Sequence, residues 1–236
     1  HYDGFSELSR GNVHFATNEP LHLIEAYHNN VVSIGNFFET SGGVIFTDLG
    51  YNKLLTNKEI YITSPVSNDV TDNIARDIIS RHLKNNKINR NADLKIVVKD
   101  FYHIKNLKDG MDAAWLCFEN FEGVESNLEG IKVKKIYLED VDIPNFCALD
   151  LFTSENLIKS SASMISDFVE STELAIKDLR EDFDFAKSVF YKFCKDEETE
   201  LMNRIIKNTM PRFFSPFNKS RSKWRPLYNY TKNNKI

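Results

Sequence analysis

The sequence predicts a mixed α+β protein with an antiparallel-rich β head and flanking helices, a long C-terminal helical arm or helical hairpin, and an extended basic tail. All nine glycines lie at or before Gly130. The 66 residues between Pro144 and Pro211 contain neither glycine nor proline, the residues that most often end helices. Residues 201–236 hold nine Lys or Arg and no acid, whereas residues 1–200 hold 21 Lys or Arg against 34 Asp or Glu. Three predicted domains follow: 1–145, 153–209 and 210–236.

The first part of the head alternates apolar runs with turn residues. Residues 20–30 have apolar side chains at helical spacing after a proline, which predicts a helix. Residues 31–50 form two apolar runs separated by Thr40-Ser41-Gly42-Gly43, which predicts a hairpin. A strand at 59–65 then precedes a helix at 67–86, whose caps come from the Ser-Asn-Asp triplet at its start.

The second part of the head adds three segments. Residues 93–104 are β-branched and aromatic, and 131–141 alternate, so both predict strands. Residues 111–123 fit either a strand paired with 93–104 or a helix capped by Asp109, and we favour the strand. The head then holds five or six strands, mostly in antiparallel hairpins.

The arm begins at a Thr-Ser cap and carries apolar side chains at alternating steps of four and three, from Ile158 to Phe193. One helix over 154–194 would be about 60 Å long, because each residue adds about 1.5 Å. A compact domain cannot bury such a helix, so we expect either a protruding arm or a break near 170–173. A further helix is predicted at 196–208, with Asp196 as its cap.

The apolar stripe of the arm has two interpretations. It packs on the protein's own domain, or it forms a coiled coil with a second copy of the chain. We predict self-association, through these residues: Ile158, Ile165, Val169, Ile176, Leu179, Phe183, Phe190 and Phe193.

The tail interleaves cations with aromatic rings, and it has three interpretations. It tracks single-stranded nucleic acid, lies as an internal strap on the acidic helix before it, or docks on a protein partner. The predicted binding residues are Arg212, Phe213, Phe214, Phe217, Lys219, Arg221, Lys223, Trp224, Arg225, Tyr228 and Tyr230.

The common catalytic and nucleotide-binding motifs are absent from the sequence: there is no GxxxxGK[ST], GxGxxG, HExxH or GxSxG. Three weaker candidates remain. His22, Glu25 and His28 share one helical face, with His14 upstream, and supply three of the four ligands that a structural metal site usually has. Asp48 ends a strand before a turn, where a carboxylate more often caps the turn than serves catalysis. Asp100 and His103 stand three residues apart on a predicted strand and so point to opposite faces. We therefore predict no catalytic residue, no metal and no cofactor.

Three widely spaced cysteines, Cys117, Cys147 and Cys194, predict reduced thiols in a cytoplasmic protein. No apolar run is long enough for a membrane span. The prediction is a non-enzymatic interaction or assembly protein that self-associates and binds or blocks a macromolecule. A nucleic-acid-binding regulator is the first alternative and a metal-dependent enzyme the second. The abundance of Asn, Lys, Ile and Phe is typical of AT-rich genomes and fits a phage accessory protein.

Overall fold

The chain forms two compact units in the structure, a computed structural model that describes residues 3–21, 30–56, 58–89, 93–218 and 224–234. Unit 1 comprises residues 1–40 and 146–228. Unit 2 comprises residues 41–145 and 229–236. Each unit is therefore built from two stretches, and the chain passes between the units at 40/41, 145/146 and 228/229.

The two units contain both strands and helices. The strands are β1 (Phe15–Asn18), β2 (Val31–Glu39), β3 (Gly42–Thr47), β4 (Ile60–Ser64), β5 (Leu94–Val98), β6 (Ala113–Phe118), β7 (Val133–Tyr137), β8 (Ala148–Ser154) and β9 (Phe213–Asn218). The helices are α1 (Gly4–Arg10), α2 (Asp48–Leu55), α3 (Asp69–Asn85), α4 (His103–Lys108), α5 (Val124–Leu128), α6 (Glu155–Ser160), α7 (Ala162–Glu181), α8 (Phe183–Cys194), α9 (Glu200–Thr209) and α10 (Arg225–Asn233).

Unit 1 is built on an antiparallel sheet in the order β1-β8-β2-β9. Its inner strand β8 is buried on both faces, because successive side chains of a strand point to opposite sides. Phe152 packs with Phe5 of α1 on one face. Leu151 packs with Val169 and Ile176 of α7 on the other. The sheet is thus covered by helices on both sides.

The long helical arm is not observed. The segment forms the separate helices α6, α7 and α8, with breaks at Ser161 and Asp182. Asp182 caps α8, because its side chain accepts a hydrogen bond from Phe185 N at 2.9 Å. At the predicted break, Ser171 and Thr172 instead donate their hydroxyl hydrogens to carbonyls four residues earlier and stay helical.

Unit 2 is built on a mixed sheet in the order β5-β4-β6-β3-β7. Strand β4 pairs in parallel with both β5 and β6, while β3 pairs antiparallel with β6 and β7. Helix α3 lies between β4 and β5 in the chain and buries Ile74, Ile78 and Leu83, as expected for the crossover of a parallel pair. Its prediction over 67–86 is confirmed, as is the strand at 59–65.

The predicted antiparallel hairpins are wrong. Strands β2 and β3 exist, but they belong to the sheets of different units, and the supposed turn at Thr40–Ser41 is where the chain passes between them. Strand β6 also exists, but it pairs with β4 and β3 rather than with the preceding strand. The fold is therefore a two-lobe α/β fold, and the predicted β head with a helical arm is wrong.

The tail is more ordered than predicted. Residues Phe213–Asn218 form an edge strand of unit 1, and Arg225–Asn233 form a helix. No helix in the described part of the chain is both long and apolar enough to cross a membrane.

Candidate ligand-binding edge

The parallel strands of unit 2 bring three connections to one edge of the sheet. Because β5, β4 and β6 run in the same direction, their carboxyl ends meet there. The connections that leave these ends span residues 64–72, 98–103 and 118–123, and together we call them the carboxyl edge. In α/β sheets, ligands bind outside the carboxyl ends of the strands, so this edge is the candidate site.

The first connection leads from β4 into α3, and its polar side chains form hydrogen bonds with one another and with the N-terminus of the helix. Asn68 caps the helix, since its side chain accepts from Thr71 N at 2.9 Å while Thr71 Oγ1 accepts from Asn68 N at 3.3 Å. Ser67 Oγ donates to Asp72 Oδ2 at 2.6 Å. Asp69 and Asp72 stand in the first helical turn, where carboxylates stabilise the helix.

The second connection leads from β5 into α4 and presents two aromatic rings. Asp100 Oδ1 accepts hydrogen bonds from Tyr102 N and from Asn106 Nδ2, both at 3.0 Å. These two hydrogen bonds hold the pKa of the Asp100 carboxyl below its ordinary value, and the bond from Tyr102 N has the larger effect. The turn places Phe101 and Tyr102 in solvent, with 69% and 68% of their surface exposed. Exposed neighbouring aromatic residues at such an edge are typical of binding surfaces.

His103 follows directly and is buried, with only 1% of its surface exposed. Neither ring nitrogen has a hydrogen-bond partner among the described residues. Burial lowers the pKa of His103 to about 4, although the charge of Asp100 opposes the shift. The imidazole is therefore neutral at physiological pH, with one nitrogen able to donate and the other able to accept.

The third connection, after β6, has unusual backbone geometry. Leu116, inside β6 and two residues before this connection begins, adopts a φ of 63°, a left-handed conformation that costs a leucine about 1–3 kcal/mol. Residues Glu119–Gly123 then form a π-type helical turn. The Glu119 carboxylate accepts hydrogen bonds from Lys135 Nζ at 2.9 Å and from the Tyr137 hydroxyl. Both strained backbone and π turns concentrate at functional sites.

Glu122 is a second buried titratable group at this edge. Burial raises the pKa of its carboxyl to about 7, although Phe118 N donates to it at 2.7 Å. The fold therefore loses stability as the pH rises from 4.5 to about 7, because the unfolded carboxyl ionises first. His103 has the opposite effect: stability is lost as the pH falls from 6.5 to about 4.

The strand part of the predicted tail packs on unit 1. The Phe217 ring packs on Phe37 of unit 1 at 5.5 Å, and Phe217 N donates to Glu173 Oε1 at 2.7 Å. Trp224 Nε1 donates to Asp150 Oδ2 at 2.7 Å. The internal strap is thus what the structure shows for the strand part of the tail. In β9, Phe213 packs on Phe38 and Phe214 is partly buried. The Arg212 guanidinium donates hydrogen bonds to Asn208, while Arg225 and Tyr228 are exposed. Within unit 2, the Tyr230 hydroxyl donates a hydrogen bond to the Asp77 carboxylate. Lys219, Arg221 and Lys223 lie outside the described residues.

Most of the predicted oligomerisation residues pack within unit 1. Val169 and Ile176 are buried against the sheet, with Ile165 beside them. Leu179, Phe183 and Phe190 surround Ala186 and Ile206 of helices α8 and α9. Ile158 and Phe193 are exposed. Six of the eight predicted residues are therefore covered by the same chain.

Among the candidate metal and catalytic residues that the structure describes, Asp100 and His103 share the second connection of the carboxyl edge. His22, Glu25 and His28 lie outside the described residues, as does most of the helix predicted at 20–30. His14 is exposed in unit 1. Asp48 stands in the first turn of α2, at the opposite edge of the unit 2 sheet. Among the described residues, no group of three His, Cys, Asp or Glu side chains is placed to hold a metal ion.

Comparison with known proteins decides the family. The family described as NMT1/THI5 like matches residues 3–184, well over half of the chain. The chain belongs to the NMT1/THI5-like family. No curated protein matches this family member.

Solved structures share the fold of this NMT1/THI5-like chain. The alkanesulfonate-binding protein SsuA of Xanthomonas axonopodis pv. citri is 9% identical, with a TM-score of 0.64 over 98% of this chain and 78% of its own. The periplasmic aliphatic sulphonate binding protein SsuA of Escherichia coli is 12% identical, with a TM-score of 0.66 over 98% and 73%. The ligand-binding component of an ABC-type import system from Staphylococcus aureus, solved with zinc bound, is 12% identical, with a TM-score of 0.66 over 98% and 77%.

These comparisons correct several predictions. A self-associating assembly protein, a coiled-coil homo-oligomer, a phage accessory protein and a nucleic-acid-binding protein are all wrong for a member of the NMT1/THI5-like family with a binding-protein fold. The predicted cytoplasmic location is contradicted as well, since the Escherichia coli protein of this fold is periplasmic. The error has a physical cause: the apolar stripe of the C-terminal helices predicts a buried face, and the prediction assigned its burial to a second chain instead of to unit 1.

Proposed function

We propose that this NMT1/THI5-like protein is an extracytoplasmic solute-binding protein, which captures a small molecule and passes it to the membrane permease of an ABC-type import system. The carboxyl edge of unit 2 is the observation that carries the proposal. It presents the exposed Phe101 and Tyr102 beside a buried imidazole with open hydrogen-bonding capacity. Aromatic surface with a few polar groups is typical of small-molecule sites.

The relatives support the same class of function. The two SsuA proteins bind sulfonates and the Staphylococcus aureus protein is the ligand-binding component of an importer. A fold alone hosts many functions, so the proposal depends on the edge rather than on the likeness. The edge lies where α/β folds place their ligands, and this position makes binding the function best supported.

A ligand screen tests the proposal. The purified protein is heated with a library of amines, amino acids, sulfonates, sugars and nucleobases, and the compounds that raise the Tm are titrated calorimetrically. A true ligand at 100 times its Kd stabilises the fold by about 2.7 kcal/mol, which raises the Tm by about 5–10 °C. We expect one molecule bound per chain.

Variants locate the binding. Replacing Phe101 and Tyr102 together by serine should abolish the shift, whereas Leu49→Ser should leave it intact, because Leu49 is equally exposed, at 66%, but lies on α2. A folded protein that no compound stabilises, or a double variant that binds as tightly as the wild type, would refute the proposal.

A further inference from the structure

The charge of the carboxyl edge favours a cation. Its three connections hold five acidic residues, Asp69, Asp72, Asp100, Glu119 and Glu122, and one basic residue, Lys99. Lys135 pairs with Glu119 at 2.9 Å and so balances one of the acids from outside the connections. Glu122, with its pKa raised to about 7, is only partly charged at neutral pH. The three aspartates against Lys99 leave a net negative charge, which attracts cationic solutes and repels sulfonates.

Helix α3 does not offer the edge an anion site. A free helix N-terminus binds anions through its unpaired N–H groups and its dipole. Here Thr71 N is already bonded to the Asn68 side chain, and Asp69 and Asp72 occupy the first turn. The chain's own carboxylates thus take the place that a sulfonate would need.

The second connection supplies groups that bind cations. Aromatic faces attract ammonium groups, most strongly where water is partly excluded. Phe101 and Tyr102 are the most exposed aromatic pair at the edge, and they directly follow Asp100 in the chain. Asp100 carries its charge at neutral pH, since its hydrogen bonds to Tyr102 N and Asn106 lower the pKa of its carboxyl.

His103 independently indicates a missing ligand group. Buried polar atoms almost always have hydrogen-bond partners, yet neither nitrogen of this 1% exposed ring has one among the described residues. The ring centroid lies 6.5 Å from that of Phe101. One nitrogen of the neutral ring accepts a hydrogen bond from an ammonium and the other donates to an anion, so His103 marks an open polar position and the charge of the edge decides between the two.

We propose that the carboxyl edge selects a protonated primary or secondary amine, held on the rings of Phe101 and Tyr102 and paired with Asp100, beside the unpartnered imidazole of His103. The inference rests on the proposed function and names its ligand class. It sets this chain apart from the sulfonate-binding relatives of the same fold.

Three probes of equal chain length test the charge preference: n-butylammonium, n-butanol and butane-1-sulfonate. Their Kd values are measured by NMR titration of the full-length protein at neutral pH. We expect butylammonium to bind about tenfold tighter than butanol, as one cation–π contact beside a carboxylate provides, and the sulfonate to bind most weakly.

Two variants assign the effect to the second connection. Asp100→Asn should weaken butylammonium about tenfold and leave butanol unchanged, whereas Asp109→Asn, at the other end of the short helix α4, should change neither. Because Asp100 also holds the turn, Phe101→Leu serves as a second variant: it keeps the apolar bulk, removes the ring face, and should weaken only the cation.

The outcomes are distinguishable. Butane-1-sulfonate binding as tightly as butylammonium overturns the cation proposal and leaves the solute-binding function standing. Equal losses in Asp100→Asn and Asp109→Asn also overturn it, because the effect is then general charge. If neither the probes nor any library compound binds, both proposals fail together.

Discussion

Replacing Ile176 by alanine tests whether the apolar stripe of the C-terminal helices is covered by the chain itself. Ile176 lies on α7, is 4% exposed, and packs with Val169, Leu151 and Phe217. The substitution removes three carbon groups at about 0.8 kcal/mol each, or about 2.4 kcal/mol. The cavity left behind raises the expected loss of unfolding free energy to about 3 kcal/mol.

The matched control is Leu174→Ala on the same helix. Leu174 is 58% exposed, so its loss should cost under about 1 kcal/mol. Urea unfolding is followed by the fluorescence of Trp224, which belongs to unit 1, in a Trp115→Phe background that silences unit 2.

Protein concentration supplies the refuting result. If the stripe packs within one chain, the unfolding midpoint is independent of concentration over a hundredfold range. Equal losses for the two variants, or a midpoint that rises with concentration together with a dimer in light scattering, would refute the assignment of the stripe to the chain's own sheet.

Four other variants test unit 2. Tyr230→Phe removes a 2.8 Å hydrogen bond to the Asp77 carboxylate and should cost about 2 kcal/mol in thermal unfolding, a loss that largely disappears in an Asp77→Asn background. Glu122→Gln removes the pH-dependent contribution of Glu122 and retains that of His103. The free energy of unfolding should then fall by about 3 kcal/mol as the pH drops from 6.5 to about 4. His103→Asn should do the reverse, with a similar loss as the pH rises from 4.5 to about 7, and flat profiles in both would contradict the burial of these groups. Gly43→Ala would place a Cβ 2.1 Å from the Ile136 carbonyl oxygen between β3 and β7, so circular dichroism should show loss of folded unit 2.

Local patterns predicted local structure well where one element explains them. The alternation at 59–65 and the cap followed by apolar spacing at 67–86 correspond to β4 and α3. The cap at Ser154 is also observed, since its side chain accepts from Leu157 N at 3.2 Å. These features depend on neighbours within a few residues, which the sequence displays directly.

Long-range pairing was not predictable in the same way. The Gly42-Gly43 pair has the composition of a hairpin turn, yet the close approach of β7 to Gly43 and the passage between units explain it better. The run at 148–154 was missed as a strand, because its partners β1 and β2 lie more than a hundred residues earlier. The regular apolar spacing from Ile158 onward shows that a face is covered, but not by what.

The candidate site was missed for a related reason. The sequence prediction continues the strand through residue 104 and so places Asp100 and His103 on opposite faces. In the structure β5 ends at Val98, and the turn that follows brings the two residues together. Phe101 and Tyr102 were counted as strand residues for the same reason. Only the parallel pairing of β4, β5 and β6 reveals that three connections share one edge.

Native mass spectrometry of the protein purified from its own cells tests solute binding most directly. We predict a monomer carrying one small molecule of a few hundred daltons, absent from the variant in which Phe101 and Tyr102 are replaced by serine. A dimer, a nucleic-acid adduct, or a small molecule retained equally by that variant would contradict the account.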